Sequence, residues 1–180
     1  MTAMMRIAKG IECWAAKVDF EVDKQTNLED QEAIFDTKMN ASGFNCHVVI
    51  EADEKREWLS LFVYPSITIL EDRYSKVLSL MNDINNKIAV GRIAMNEKGV
   101  IQIKTVIDLE GCEITPKLID NHFEALMHIV HTWMPEIAVM NYSKGSVDQV
   151  RRFLETAVND SCETSGQEAV MPTLESNTIQ

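Results

Sequence analysis

Three strand-like runs follow one another in the first half of the chain with only short turns between them. They span Ala33–Met39, Phe44–Ala52 and Glu57–Tyr64, and the turns contain Ala41-Ser42-Gly43 and the charged residues 53–56. Strands joined by such short turns pair antiparallel, because parallel strands need a long crossover connection. The sequence therefore predicts an antiparallel meander.

The second of these runs alternates strictly between two kinds of side chain. One set is apolar and the other is mostly polar: Phe44, Cys46, Val48 and Ile50 alternate with Asn45, His47, Val49 and Glu51. A period of two with one polar face is typical of an antiparallel sheet that is covered on one side only.

The third run is apolar on both sides, with Trp58, Phe62 and Tyr64 on one face and Leu59, Leu61 and Val63 on the other. Burial of both faces in a core is the simpler explanation. The alternative is that one face is a groove or dimer surface that accepts an apolar segment of a partner, a role that aromatic side chains suit. Trp58, Phe62 and Tyr64 are therefore the candidate partner-binding residues.

Apolar residues at spacings of three and four predict two helices in this half of the chain. The first covers Met4–Val18 and the second lies between Glu71 and Ala89. The charged segment between the first helix and the first strand, Phe20–Glu32, is predicted to be a loop. Pro65 is predicted to end the third strand because it lacks an N–H group.

A second hairpin and two more helices are predicted in the other half. Val90–Met95 and Val100–Leu109 indicate two strands around the turn at residues 96–99. Thr115 and Pro116 have the residue types of an N-cap and a first helical position, and this helix is expected to stop before Pro135. A shorter helix is expected to begin at Ser146, with Val147, Val150, Phe153 and Leu154 along one side.

The predicted order is α-β-β-β-α-β-β-α-α, which has no βαβ alternation. This order favours an α+β fold in which helices pack on a five-stranded antiparallel sheet. Residues 1–158 are predicted to form a single domain. The segment 159–180 is rich in Ser, Thr and Glu and has no periodicity, so it is predicted to be a disordered acidic tail.

The charge of the chain argues against several classes of partner. With 28 acidic and 17 basic residues, the formal net charge is -11, which repels a phosphate backbone and an anionic membrane surface. The cysteines occur singly (Cys13, Cys46, Cys112 and Cys162), as expected for free thiols in a reducing compartment. Without a secretory signal or an apolar stretch long enough to span a bilayer, we expect a cytoplasmic protein.

Motifs for catalysis or cofactor binding are absent from the sequence. His128 and His131 are three residues apart on one predicted helix, with His122 about two turns earlier, but no CxxC or HExxH pattern accompanies them. No GxSxG, GxGxxG or GxxxxGK[ST] pattern occurs either. We therefore expect no enzyme activity, no cofactor and no metal. A metal-binding protein or enzyme that uses these three histidines remains an alternative.

Four segments of the second half have a characteristic order: Leu80–Asn86 leading to Gly91, Ile101–Thr105, Ile114–Ile119 and Trp133–Val139. In these segments the chain resembles the YbjN-like family of bacterial sensory-transduction regulators. The resemblance covers about residues 33–158 and is strongest from residue 71 onward. Asn82 and Asn85 match asparagines typical of the end of that family's helix, which implies a structural role in the turn.

The resemblance implies a fold like that of type III secretion chaperones, whose relatives often dimerise and hold other proteins. We therefore expect a non-enzymatic regulatory or scaffold protein, a homodimer, that binds a protein or peptide segment. The alternative within the same class is a type III secretion-type chaperone for a secreted client. The resemblance names no client.

Overall fold

The computed structural model describes residues 5–143 together with Gln149 and Arg152. Three helices and six strands lie in this part of the chain, and a single 3-10 turn at Glu71–Arg73 leads into the second helix. Their bounds are α1 (Arg6–Lys17), β1 (Asp23–Asn27), β2 (Glu32–Ala41), β3 (Phe44–Asp53), β4 (Trp58–Pro65), α2 (Tyr74–Asn85), β5 (Arg92–Met95), β6 (Ile101–Asp108) and α3 (Pro116–Tyr142).

All six strands form one antiparallel sheet in the order β1-β2-β3-β4-β6-β5. The α+β class and the antiparallel pairing confirm the prediction, but the predicted number of five strands is wrong. The extra strand is β1, which lies in the segment Phe20–Glu32 predicted to be a loop. Its five residues, DKQTN, are all exposed and show no apolar alternation, so only backbone pairing with β2 at the sheet edge defines it.

A tight turn fixes the register between β2 and β3. Ser42 and Gly43 both have positive φ, at 51° and 79°, and Ala41 pairs with Phe44 across a two-residue loop. The hydroxyl of Ser42 lies 2.6 Å from Nδ1 of His131, so this turn also contacts α3. A one-residue slip here would turn the buried side chains of β3 to the solvent.

One face of the sheet carries the core, as the alternation in β3 predicts. Alternate residues from neighbouring strands meet in register, such as Phe35 with Ile50 and Ile50 with Leu61, and all three are buried. The helices cover this face with buried side chains that include Ile11 and Trp14 of α1. None of the helices in the described part of the chain is long and apolar enough to cross a membrane.

The third helix continues through Pro135, so the predicted stop before this residue is wrong. Proline removes one helical hydrogen bond and costs about 3 kcal/mol in a helix interior. The last two turns offset this cost because they bury Ile137, Met140 and Asn141 completely. The side chain of Asn141 also accepts a hydrogen bond from the N–H of Leu70 at 2.8 Å and donates one to the carbonyl of Thr68 at 3.1 Å.

Two further sequence predictions fall wholly on residues beyond residue 143. The short helix expected from Ser146, with its apolar side chains at Val147, Val150, Phe153 and Leu154, lies outside the described residues except for Gln149 and Arg152, which are both helical. The tail at 159–180 lies outside them as well.

Asn85 closes the β5 edge of the sheet. Its carboxamide accepts a hydrogen bond from the N–H of Ile93 at 2.8 Å and donates one to the carbonyl of the same residue at 2.9 Å. These are two of the backbone groups that a further strand would use. Asn85 therefore has a structural role, whereas the side chain of Asn82 is exposed to solvent.

A side chain from the β3–β4 turn caps the first turn of α1. Oε1 of Glu54 accepts hydrogen bonds from the N–H groups of Ile7 and Ala8 at 2.7 and 2.9 Å. A carboxylate at this end of a helix also interacts favourably with the helix dipole. Glu54 therefore ties α1 to the sheet.

Two substitutions of Glu54 should weaken this connection to different degrees. Glu54→Gln retains an oxygen acceptor and loses the charge, whereas Glu54→Ala loses both, so we expect the alanine variant to lose about 1–2 kcal/mol of stability and the glutamine variant less. Urea unfolding would measure the difference. Equal stability of both variants and the wild type would contradict the capping role.

Gly99 and Gly43 provide a matched pair for a second test. Both have positive φ, but a Cβ at Gly99 would lie 2.5 Å from the carbonyl oxygen of Ile69, whereas a Cβ at Gly43 would have no atom within 4 Å. Gly43→Ala should cost about 1–2 kcal/mol from backbone strain alone, and Gly99→Ala should cost more because of the clash. Thermal unfolding of both variants would show whether this order holds.

Candidate protein-binding face

We call the side of the sheet opposite the helices the open face. Strand pairing arranges its side chains in four rows that run across the strands. Row 1 consists of Asn27, Glu32, Asp53, Trp58 and Asp108; row 2 of Gln25, Ile34, Glu51, Ser60 and Val106; row 3 of Asp23, Asp36, Val49, Phe62, Lys104 and Arg92; and row 4 of Lys38, His47, Tyr64, Gln102 and Ala94.

An apolar patch crosses the open face from Trp58 in row 1 to Tyr64 in row 4. Val106, Trp58 and Ile34 are 52%, 42% and 38% exposed, and three half-buried side chains lie among them. The members of the patch are Ile34, Val49, Trp58, Phe62, Tyr64 and Val106. Contiguous apolar surface on a sheet is typical of a site that contacts another molecule.

The aromatic side chains of the patch are held in place by their neighbours. The rings of Phe62 and Tyr64 are stacked with centroids 6.3 Å apart, and Nε2 of Gln102 donates a hydrogen bond to the hydroxyl of Tyr64 at 2.6 Å. The guanidinium of Arg56 lies 5.6 Å from the centroid of Trp58 and also pairs with Asp53 at 3.3 Å. Ordered aromatic rings lose little side-chain entropy when they bind a partner.

Charge is distributed unevenly along the open face. The strand residues of rows 1 and 2 include four carboxylates and no basic side chain: Glu32, Asp53, Asp108 and Glu51. Rows 3 and 4 include three basic side chains against two carboxylates: Lys38, Lys104, Arg92, Asp36 and Asp23. The face therefore has an acidic end and a more basic end.

The acidic end is partly shielded from water. Burial raises the pKa of the Glu51 carboxyl, and the nearby negative charge of Glu32 raises it further. A hollow of about 300 Å³ lies here, lined in part by Ile34, Glu51, Trp58 and Val106. A partner that brings a positive charge to this position would stabilise the ionised form of Glu51.

A larger cleft lies at the other end of the strands. Its volume is about 830 Å³, and its lining includes Lys38, His47, Tyr64 and the segment from Ser66 to Thr68. The rings of His47 and Tyr64 lie 6.2 Å apart at its edge. The cleft is continuous with row 4, so a bound segment could extend from the apolar patch into it.

The structure places all three sequence-predicted binding residues, Trp58, Phe62 and Tyr64, on the open face. The other face of β4, with Leu59, Leu61 and Val63, is fully buried. Sequence reasoning missed the apolar neighbours Ile34, Val49 and Val106. The signal was present, since each of these is an apolar residue in the polar phase of its strand.

The three helix histidines have different surroundings. Nδ1 of His131 contacts Ser42, Nε2 of His128 lies 3.5 Å from the hydroxyl of Thr132, and Nδ1 of His122 is buried without a hydrogen-bond partner. Within residues 5–143, 149 and 152, no group of three or more His, Cys, Asp or Glu side chains is placed to hold a metal. The described cysteines Cys13, Cys46 and Cys112 are free thiols.

Comparison with known proteins identifies no family. No family model matches the chain, and no curated protein matches its sequence. Among solved structures, the chain is similar to a chain of the HopA1–SchA chaperone–effector complex, with 12% identity and a TM-score of 0.45 over 69% of this chain and 89% of that one. A likeness this distant assigns neither a family nor a function.

The half-buried position of His122 should make the stability of the fold depend on pH. Burial lowers the pKa of this imidazole, so the unfolded chain binds a proton more readily than the folded protein. The free energy of unfolding should therefore fall as the pH drops below the ordinary histidine pKa of about 6.5, until the lower folded pKa is reached.

His122→Gln removes this titration and should make stability less sensitive to pH in that window. His128→Gln, on the exposed side of the same helix, is the control. Urea unfolding at a series of pH values would measure both variants against the wild type. A wild-type slope that persists in His122→Gln would contradict the assignment.

Proposed function

We propose that this protein is a non-enzymatic scaffold or regulatory protein that binds a protein segment on its open face. The apolar patch is the observation that carries the proposal. Its three most exposed members, Ile34, Trp58 and Val106, lie in rows 1 and 2, and Phe62 and Tyr64 extend the patch toward the cleft.

The composition of the face fits that of a protein interface. Such interfaces have an aromatic and aliphatic centre with a polar or charged rim, and Trp and Tyr contribute most strongly to binding energy. Here Trp58 and Tyr64 lie near charged residues such as Asp53, Asp108 and Lys38. A partner segment with apolar side chains would bury the patch while its polar groups contact the rim.

The finer assignment rests on the sequence resemblance to the YbjN-like regulators. That resemblance supports a cytoplasmic regulatory protein and a homodimer, and the contact of Asn85 with Ile93 agrees with the structural role it implies for this residue. A secretion-type chaperone is the alternative, because the same face would serve a secreted client. A chaperone would be expected to have its gene beside that of its client.

A photo-crosslinking amino acid at position 58 tests the proposal. We expect it to form a crosslink to a different polypeptide in cells of the native host, and we expect the same substitution at Leu78 to form none. Leu78 is a suitable control because it is 47% exposed on α2, away from the open face. Mass spectrometry would identify the product.

The captured polypeptide is then purified and its binding is measured directly. Phe62→Ser should weaken its affinity by about tenfold or more, because the loss of an interface anchor costs at least 1–2 kcal/mol. Crosslinks that form equally at positions 58 and 78, or an affinity unchanged by Phe62→Ser, would refute the proposed binding face.

A further inference from the structure

We propose that a pair of basic side chains on the open face, which we call the basic corner, binds an acidic side chain, Asp or Glu, of the partner segment. The basic corner consists of Arg92 on β5 and Lys104 on β6, which are paired directly across the two strands. This inference rests on the proposed function, because it gives the chemistry of the segment that binds the same face. It predicts a segment in which a carboxylate lies beside apolar side chains.

The two cations of the basic corner lie opposite each other without a partner of opposite charge. In the described part of the chain, no carboxylate forms an ion pair with either side chain. Like charges placed directly opposite each other on neighbouring strands destabilise a sheet. In a chain with 28 acidic and 17 basic residues, such a pair is a local cost that a bound anion would remove.

A hollow beside the basic corner leaves room for an anion. Its volume is about 470 Å³, and its lining includes Arg92, Lys104 and Val106 together with Ala89 and Gly91. Among the described residues that line this hollow there is no Asp or Glu. A carboxylate would therefore reach both cations without meeting a negative charge.

The backbone of β6 adds a hydrogen-bond donor to the hollow. Residues along β6 bond alternately to β4 and to the β5 side. The N–H of Leu109, just after the strand, bonds to the carbonyl of Glu57 at 2.8 Å on the β4 side, so the N–H of Val106 points to the β5 side. Because β5 begins at Arg92, opposite Lys104, no residue of that strand lies opposite Val106, and no described group accepts a hydrogen bond from its N–H. The anion would meet a guanidinium, an ammonium and this amide.

The neighbours of the basic corner favour a carboxylate that belongs to an apolar segment. On β4, Phe62 is directly opposite Lys104, and Val106 is the next residue of β6 on the same face. The guanidinium of Arg92 can hold a planar carboxylate through two parallel hydrogen bonds. Apolar residues beside that carboxylate would then cover Phe62 and Val106, which a free inorganic anion would leave exposed.

The negative net charge of the chain does not prevent this contact. At an ionic strength of about 0.15 M, exposed charges are screened over about 8 Å. Asp108 lies further along β6, about 13 Å from Lys104, and Glu51 lies two strands and one row away, about 12 Å. The nearest carboxylates of rows 1 and 2 are therefore largely screened from the basic corner.

A synthetic peptide tests the basic corner in the full chain. The probe repeats Leu-Ser-Glu-Ser and carries fluorescein. In an extended chain its Leu and Glu side chains share one face about 7 Å apart, which is the spacing between Val106 and Lys104. A second probe has Gln in place of Glu. In fluorescence anisotropy we expect the wild type to bind the Glu probe about tenfold or more tightly than the Gln probe, because hydrogen bonds to charged groups are stronger.

A charge reversal in the basic corner should remove this preference. Arg92→Glu places a carboxylate of the chain itself opposite Lys104, so we expect this variant to bind the Glu probe no more tightly than the Gln probe. The control Lys76→Glu reverses an exposed positive charge on α2 and should retain the preference. Circular dichroism and thermal unfolding establish that each variant is folded.

The outcomes of this assay separate the basic corner from the proposed function. A Glu preference that Arg92→Glu abolishes and Lys76→Glu retains would support the basic corner. A wild type that does not bind the Glu probe, or a preference that survives Arg92→Glu, would overturn it. If the wild type binds both probes equally and Phe62→Ser weakens both, the basic corner is wrong and the proposed function stands.

Two other occupants would be recognised in the same assay. Inorganic phosphate that displaces the Glu probe as effectively as unlabelled probe does would identify a free anion as the ligand. A Glu probe that binds about tenfold more tightly to the variant Glu163→Gln/Glu168→Gln/Glu175→Gln would identify the chain's own segment 159–180 as the occupant. Either result would overturn the assignment of the basic corner to a partner segment.

Discussion

Burial of one face of the antiparallel sheet against α1 and α3 determines the rest of this structure. Because side chains alternate along a strand, filling the core with Phe35, Ile50 and Leu61 turns every second residue toward the opposite side. Helices that covered both faces would have made β4 a wholly internal strand. Because the described helices pack on one side of the sheet, Trp58, Phe62 and Tyr64 of β4 lie on the other side.

The open face combines two properties. It carries an apolar patch, and its two ends differ in charge. An apolar patch favours association with many partners, whereas an ordered set of charges restricts the orientation in which association can occur. At the acidic end Glu51 is half-buried, and this burial raises the pKa of its carboxyl. Binding there would therefore depend on the charge that a partner carries.

Much of the fold could be predicted because strong periodicity marks its buried elements. The alternation in β3 and the stripes in α1 and α2 reflect burial directly, so their bounds agree closely with the structure. The wrong predictions concern elements whose formation does not depend on a periodic pattern of buried side chains. β1 is exposed throughout and is defined by backbone pairing, and α3 passes Pro135 because tertiary packing outweighs a local preference.

The open face was only partly predictable, because much of it depends on how distant segments pack together. Trp58, Phe62 and Tyr64 stood out because their strand is apolar in both phases. Which phase would face outward depended on how the helices pack, and the charged rows depended on strand register. Neither Lys104 nor Glu51 attracts attention in the sequence, since a row forms only when residues distant in the chain are brought side by side.

The carboxamide of Asn85 has a consequence for how this protein can assemble. Because it occupies the outward-pointing backbone groups of Ile93, a strand added at the β5 edge would find these two groups already bonded. A sheet can grow by strand addition at both of its margins only if the outward-pointing backbone groups of each margin can bond to an added strand. The carboxamide of Asn85 competes for two of these groups at one margin, which disfavours growth through the sheet in both directions.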